Sequence, residues 1–210
     1  MSESASGIIL RTRLLTETSL IVSWLTPNLG RVSTVAKGAR RPKSPFLGKL
    51  DLFYEADFSF TRSRRSELHT LREVSLLETH SGLRREMNCL QQASYAAALI
   101  EQSTEKETPL GEIFELMRDF LRHLTQRPPL PRSLYAFELK LLNVLGLQPD
   151  LPGSRLTSGT RAIIAALLEC DWPNLVQVRS TAAQAQELSQ FLNGFLIYHL
   201  GRLPKLRPAP

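Results

Sequence analysis

The residues best suited to a chemical role lie in one basic stretch near the N-terminus. Between Gly30 and Ser44 the chain carries five cationic side chains and no acidic one: Arg31, Lys37, Arg40, Arg41 and Lys43. The first half of this stretch has the pattern of a strand, and Gly38 and Pro42 in the second half predict a flexible loop. Fixed positive charges on such a loop can follow a phosphate backbone without a preformed pocket. The ordinary alternative is a charged loop that only contacts solvent.

Two further groups of arginines extend this candidate surface. Arg11 and Arg13 alternate with apolar residues over residues 7–15 and therefore share one face of a predicted strand. Another group lies in the polar turn at residues 61–66. We predict that the phosphates of a nucleic acid bind to ten side chains in all: Arg11, Arg13, Arg31, Lys37, Arg40, Arg41, Lys43, Arg62, Arg64 and Arg65.

The net charge of +6 is concentrated in the first third of the chain. Residues 1–73 hold twelve Lys or Arg against seven Asp or Glu, whereas residues 74–210 hold fourteen against thirteen. This distribution is typical of a phosphate-binding module joined to a nearly neutral one.

The basic residues belong to a segment with the pattern of an all-β module. Five short strands are predicted without a helix-length gap between them, at residues 7–15, 20–25, 31–37, 52–61 and 68–74. Such a series favours a small antiparallel barrel. We assign four aromatic residues to its core: Trp24, Tyr54, Phe58 and Phe60. Phe46 has two interpretations, since it either stacks on a base or caps the core of the barrel.

After Val74 the apolar period becomes helical. Helices are predicted at residues 83–103, 134–145 and 158–169, and two more follow capping signals. Thr108 and Pro109 have the order of a cap and a first-turn proline, and Thr181 with Gln184 forms a capping box. We therefore divide the chain into a barrel at 1–78, a helical domain at 79–200 and a basic tail at 201–210.

No pattern predicts a catalytic centre or a cofactor. The four histidines, His69, His80, His123 and His199, each stand apart from residues with metal-ligand spacing. The sequence has no phosphate-binding Walker loop, no nucleophile elbow and no dinucleotide fingerprint. We expect a protein that binds its partners and is not an enzyme.

The chain also lacks the signals of membrane or secreted proteins. It contains no run of about 18 apolar residues, and its polar N-terminus does not resemble a signal peptide. Cys89 and Cys170 are far apart in helical patterns, which favours buried thiols in a reducing compartment. We expect a cytoplasmic protein.

Several sequence blocks, spread in order over most of the chain, match one known pattern. The N-terminal blocks are Gly7-Ile-Ile-Leu-Arg-Thr-Arg13, Glu17-Thr-Ser-Leu-Ile-Val22, Leu29-Gly-Arg-Val32 and Val35-Ala-Lys-Gly-Ala-Arg-Arg-Pro-Lys-Ser44. The later blocks are Leu71-Arg-Glu73, Phe137-Glu-Leu-Lys-Leu-Leu142, Leu145-Gly-Leu-Gln-Pro-Asp150 and Tyr198-His-Leu-Gly-Arg202. Together they resemble the bacterial RecO family of recombination mediators.

The resemblance implies an α+β protein of two domains, an N-terminal five-stranded antiparallel OB-fold barrel followed by an all-α domain. It implies binding of single- and double-stranded DNA, annealing of complementary strands, and help in loading a recombinase onto coated strands during DNA damage repair by the RecF pathway. The implied partners are RecR, the C-terminal tail of single-stranded-DNA-binding protein, and the recombinase RecA. A bacterial, nucleoid-associated location follows from the same resemblance.

One family feature is absent from the sequence. Many relatives carry a four-cysteine zinc site after the Phe-Glu-Leu helix, but residues 151–160 contain no cysteine. Cys170 alone cannot supply the ligands of a structural zinc site, so we predict no metal.

Two other functions remain open at this point. The helical domain could be an interaction scaffold whose groove for an acidic, apolar peptide includes Arg132, Phe137, Lys140 and Leu141, although Phe137 and Leu141 also fit a core. The barrel could instead be an OB-fold RNA-binding module that acts in translation.

Overall fold

A closed five-stranded barrel forms the N-terminal part of the computed structural model, which describes residues 2–204 and Arg207. Its strands are β1 (Ser2–Leu14), β2 (Leu20–Thr26), β3 (Gly30–Ala36), β4 (Glu55–Thr61) and β5 (Leu68–Glu78). They are hydrogen-bonded in the order β1-β2-β3-β5-β4, and β4 pairs with β1 to close the barrel. All pairs are antiparallel except β3 with β5, which are parallel. This is the OB-fold, as expected.

The long first strand, β1, pairs with two different strands and so completes the closure of the barrel. Its first half pairs with β4 and its second half with β2, and a register shift between Ile9 and Arg11 marks the change. Residues 7–10 are all buried, where the sequence predicts alternation; Ile9 belongs to the barrel core cluster, whereas Ile8 and Leu10 are buried outside that cluster. Gly7 lies at the crossing, where an added Cβ would be 2.9 Å from the carbonyl oxygen of Leu25.

The barrel core is built around an aromatic stack. The rings of Trp24 and Phe58 lie 4.1 Å apart, and the Trp24 indole donates a hydrogen bond to the hydroxyl of Thr34 at 2.9 Å. Phe46 is 7% exposed and belongs to this core, so its interpretation as a core cap is confirmed. Tyr54 packs against the core but remains half-buried.

The remainder of the described chain is mostly helical. The α-helices are α1 (Met87–Ser103), α2 (Gly111–Gln126), α3 (Pro131–Val144), α4 (Ser158–Glu169) and α5 (Ala182–Leu200). The predicted helix at 83–103 is divided, because a short 3-10 turn at Ser81–Arg85 precedes α1. Thr108 does not cap α2, which begins three residues later; its hydroxyl faces the carbonyl of Lys106. The capping box of Thr181 and Gln184 is confirmed.

The chain folds as two compact units. The barrel unit runs through Ser81 and also contains Thr104–Arg118, a stretch that the sequence-based division assigns to the helical domain. The helical unit contains Gly82–Ser103 and the chain from Asp119 onward. None of the helices in the described chain combines the length and the apolarity needed to cross a membrane.

The helical unit encloses one acidic residue in its apolar core. Phe137 and Leu141 on α3 are at most 1% exposed, and Glu138 between them is fully buried. The hydroxyl of Tyr95 on α1 donates a hydrogen bond to the Glu138 carboxylate at 2.7 Å. Burial raises the pKa of both groups.

Candidate nucleic-acid interface

The basic loop, residues 37–44, is held at the mouth of the barrel by two buried residues, one within the loop and one just after it. Ala39 and Phe46 are 6% and 7% exposed and pack into the barrel core. Gly38 adopts a φ of +67°, which a residue with a side chain rarely adopts. Consecutive turns follow, with the amides of Arg41 and Ser44 bonded to the carbonyls of Gly38 and Arg41 at 3.1 and 3.0 Å. The loop is therefore ordered where the sequence suggests flexibility.

The same loop is tied to the β1–β2 turn, residues 15–19. The Arg40 amide donates to the Thr18 carbonyl at 3.0 Å, and the Arg40 guanidinium donates to the Glu17 carbonyl at 3.0 Å. The Gly38 amide donates to the Ser19 hydroxyl at 3.3 Å. These bonds fix the positions of the charged side chains relative to the barrel.

Four cations of the basic loop face solvent. Lys37, Arg40, Arg41 and Lys43 are all exposed. Among the residues that the structure describes, no carboxylate forms an ion pair with any of these four. Within the described chain, no acidic side chain neutralises their charge, which supports binding of an anion.

A groove between the basic loop and the β1–β2 turn brings two of the predicted cations together. Lys37 and Arg41 line a cavity of about 410 Å³ with Leu15, Thr16 and Thr18. Arg40 lines a neighbouring cavity of about 430 Å³ that also includes Leu47. Such shallow grooves suit an extended backbone better than a compact small molecule.

Arg11 and Arg13 lie on β1 near this end of the barrel. Arg13 is exposed and pairs with Ile21, which in turn pairs with Val35, one residue from the end of β3. Arg11 is half-buried and pairs with Ser23. Both therefore lie on the outer surface of the strands that lead into the groove, as their alternation predicts.

The remaining predicted cations lie at the opposite end of the barrel. The β4–β5 loop precedes Leu68, which pairs in parallel with Ser33, so the loop adjoins the start of β3. Arg64 and Arg65 of this loop are exposed. The ten predicted residues therefore form two groups, separated by the length of β3.

Arg31 and Arg62 at this second end make structural contacts within the barrel unit. The Arg31 guanidinium donates to the hydroxyl of Thr104 at 2.8 Å and also to its carbonyl. Arg62 forms ion pairs with Glu3 at 2.8 Å and with Glu107 at 2.6 Å. These hydrogen bonds raise the pKa of Arg62 and lower that of Glu3. Both arginines thus hold neighbouring segments, a role that their sequence positions do not reveal.

The comparisons with known proteins agree with this architecture. Residues 1–80 match the N-terminal domain of Recombination protein O, and residues 88–154 match its C-terminal domain. The chain belongs to the RecO family. A DNA repair protein RecO from Anaeromyxobacter dehalogenans is 29% identical, and the match covers 94% of this chain and 91% of that protein.

Other RecO relatives are matched over a smaller part of their length. A DNA repair protein RecO from Rhodopirellula baltica is 34% identical over 68% of this chain, and one from Bacillus subtilis is 30% identical over 72%. These matches cover 53% and 58% of the two relatives, so this chain is similar to little more than half of each. All ten predicted cations fall within the match to the RecO N-terminal domain.

The four residues predicted to bind a peptide fall within the RecO C-terminal match, but they have different environments. Phe137 and Leu141 are core residues, as their alternative interpretation holds, and contribute no exposed surface. The Lys140 ammonium is bonded to the Leu168 carbonyl at 2.7 Å. Arg132 is half-buried and lines a cavity of about 550 Å³.

That cavity combines apolar walls with two arginines. It is lined by α3, α4, α5 and the segment between α4 and α5, and Arg179 is a second cation in its lining. Its apolar walls are formed by Leu130, Tyr135, Ile163, Leu167, Val176, Val178 and Leu188. Sequence reasoning found Arg132 but missed these walls, because they come from separate elements.

The two thiols of this RecO family member are free. Cys89 is buried and Cys170 is half-buried, and burial raises the pKa of both. Among the described residues, no group of three or more His, Cys, Asp or Glu side chains is placed to hold a metal ion.

Proposed function

We propose that this chain binds single- and double-stranded DNA and anneals complementary strands, as a non-catalytic mediator of recombination and repair in the bacterial cytoplasm, at the nucleoid. The basic loop is the observation that carries this proposal. Four exposed cations on an ordered support, without a carboxylate partner among the described residues, form a surface for phosphates. Membership of the RecO family supports the same function.

The mechanism needs no covalent chemistry. Two complementary strands repel one another through their phosphates, and bound cations reduce this repulsion while the bases remain free to pair. Lys37, Arg40, Arg41 and Lys43 supply charge at one end of the barrel, and Arg13 extends it along β1. Each neutralised phosphate releases counterions. The logarithm of the association constant therefore falls with the logarithm of the salt concentration, with a slope of about −0.7 per phosphate for a single strand.

The groove beside Arg132 supports a partner of a different kind. An acidic and apolar peptide suits a cleft with two arginines and aliphatic walls. The proposed occupant is the C-terminal tail of single-stranded-DNA-binding protein, which would bring the chain to coated strands. We propose RecR and the recombinase RecA as further partners, as the resemblance to the RecO family implies.

Fluorescence anisotropy with labelled oligonucleotides at several salt concentrations tests the DNA-binding proposal. We expect steep salt dependence in the wild type, and a loss of at least about tenfold in affinity when Arg40, Arg41 and Lys43 are all changed to Ala. A matched control changes three exposed arginines of the helical unit to Ala: Arg122, Arg127 and Arg155. Equal losses in the two variants, or binding insensitive to salt, would contradict a localised phosphate site.

Strand annealing is measured separately from binding. Two complementary oligonucleotides are mixed with and without single-stranded-DNA-binding protein, and pairing is followed by energy transfer between their labels. The variant of the basic loop should anneal more slowly under both conditions. Arg132→Ala should slow only the reaction with coated strands, because the groove recruits the coat. Tighter binding of RNA than of DNA with the same sequence would favour the alternative of an RNA-binding module.

A further inference from the structure

Among the described residues, the tryptophan and phenylalanines of the barrel offer no exposed surface of the kind on which OB-folds commonly stack bases. Its tryptophan and all its phenylalanines are at most 7% exposed: Trp24, Phe46, Phe53, Phe58 and Phe60. Tyr54 is half-buried against the core and lines, with Phe46, the cavity beside Arg40. No described aromatic side chain lines the groove that contains Lys37 and Arg41, so contact with a base in that groove has to come from another kind of side chain.

Exposed leucines flank the basic loop. Leu14, Leu15 and Leu47 are 64%, 46% and 64% exposed. Leu14 is the last residue of β1, and Leu15 lines the groove that contains Lys37 and Arg41. Leu47 lines the neighbouring cavity with Arg40. Isolated exposed leucines are common, but here three of them border the cations.

We propose that Leu14 and Leu15 form an apolar contact for unstacked bases of single-stranded DNA, while Lys37 and Arg41 bind the adjacent phosphates. This inference rests on the proposed function. Polyanionic DNA is the occupant that the charge favours, because the groove is lined by two cations and the described chain offers no carboxylate to pair with them. Aliphatic side chains contact and wedge between bases in other nucleic-acid complexes.

This arrangement distinguishes single strands from duplexes. In a duplex the base faces are stacked, so only the phosphates are accessible to the barrel mouth. In a single strand the bases are exposed, and an apolar contact removes both leucine and base surface from water. The phosphate contribution decreases with salt, whereas the leucine contribution does not. A preference for single strands should thus persist when the salt concentration is raised.

The test compares Leu14→Ser/Leu15→Ser with Leu77→Ser, which removes a 54% exposed leucine on β5 outside the groove. We expect the double variant to bind a single strand about tenfold more weakly, with the same salt slope and with duplex affinity changed less than about twofold. The control should match the wild type. Equal losses for single strand and duplex, or no loss, would overturn the inference.

A second variant keeps the surface apolar and reports contact directly. Leu15→Trp should bind a single strand at least as tightly as the wild type, and its additional fluorescence should be quenched by the oligonucleotide but not by the duplex. An unchanged signal would overturn the inference even if the serine variant misfolds. Wild-type protein that binds no DNA would refute the proposed function itself. If the wild-type protein binds with steep salt dependence but the oligonucleotide does not change the fluorescence of Leu15→Trp, only the proposed leucine contact is refuted.

Discussion

The guanidinium of Arg207 binds both carboxylate oxygens of Glu138. The Nε–Oε1 and Nη2–Oε2 distances are both 2.9 Å. The Glu138 side chain is fully buried and that of Arg207 is 15% exposed, so water screens the pair poorly. Arg207 lies in the predicted basic tail, of which residues 205, 206 and 208–210 are outside the described residues. This ion pair holds Arg207 of the tail against the middle of α3.

Arg207→Ala should destabilise the helical unit, because it leaves a buried carboxylate without its cation. Breaking such a pair typically costs about 3–5 kcal/mol. Protonation of Glu138 will reduce this cost, so the loss of unfolding free energy in urea at neutral pH should lie at or below the lower end of this range. Adding Glu138→Gln to Arg207→Ala should restore part of the loss. A double variant that is less stable than Arg207→Ala would contradict this account.

The stability of Arg207→Ala should also depend on pH. Burial raises the pKa of Glu138, and the removal of Arg207 takes away the cation that opposes this rise. The folded carboxyl then holds its proton more tightly than the unfolded one. The free energy of unfolding should therefore decrease as the pH rises above about 4.5, the ordinary value. Thermal unfolding of Arg207→Ala across pH 4.5–8 measures this decrease. The control is Arg207→Ala/Glu138→Gln, whose stability should not show this decrease with pH because it lacks the carboxyl group.

His123 should make the wild-type helical unit sensitive to acid. Burial, and to a smaller extent the charge of Arg127, lowers its pKa below 6.5. The neutral ring lies 2.9 Å from the Ser133 hydroxyl. The folded state binds this proton less well than the unfolded state, so stability present above pH 6.5 is lost as the pH falls. Thermal unfolding of His123→Gln should depend less on pH between 7 and 5, whereas the exposed control His199→Gln should behave as the wild type.

Gly30→Ala should be far more damaging than Gly48→Ala. Both glycines have positive φ, +65° and +73°, so alanine is strained at each by about 1–2 kcal/mol. At Gly30 an added Cβ would also lie 1.9 Å from the Thr108 carbonyl oxygen, whereas at Gly48 it meets nothing within 4 Å. Urea midpoints should show this additional loss only at Gly30. Equal losses would mean that the Thr108 segment moves freely aside.

Arg62→Ala should loosen the segment around Glu107 more than it weakens DNA binding. Its ion pairs with Glu3 and Glu107 are partly exposed, so the loss of stability should be about 1 kcal/mol or less. Hydrogen exchange of the Glu107 amide, which is bonded to the Arg31 carbonyl, should become faster. DNA affinity should decrease less than with Arg40→Ala. The reverse order would identify Arg62 primarily as a phosphate ligand.

Local periodicity was sufficient to predict the barrel and the helices. The apolar alternation before Val74 and the capping box at Thr181 are properties of neighbouring residues, and the structure has both features. The bulge in β1 was not predictable in this way, because it results from the pairing of one strand with two partners. Phe53, buried with a φ of +66°, likewise depends on packing around the barrel.

The candidate site was predicted in composition but not in arrangement. The charges of the basic loop are evident from the sequence, since nothing acidic interrupts them. The contacts of Arg31 with Thr104 and of Arg62 with Glu107 join residues 73 and 45 positions apart. No local sequence pattern predicts contacts between residues so far apart along the chain. For the same reason the sequence does not predict that Leu14 and Leu15 are exposed beside the basic loop, since their pattern is that of ordinary strand residues.

The assignment of Thr104–Arg118 to the barrel unit has a consequence for synthesis on the ribosome. The Pro27 carbonyl accepts from the Leu110 amide, and the Arg31 carbonyl accepts from the Glu107 amide. A nascent chain that has emerged only as far as β5 lacks these donors, so the Pro27 and Arg31 carbonyls do not yet have these partners. The N-terminal module therefore reaches its final form only after α1, which belongs to the other unit, has been translated.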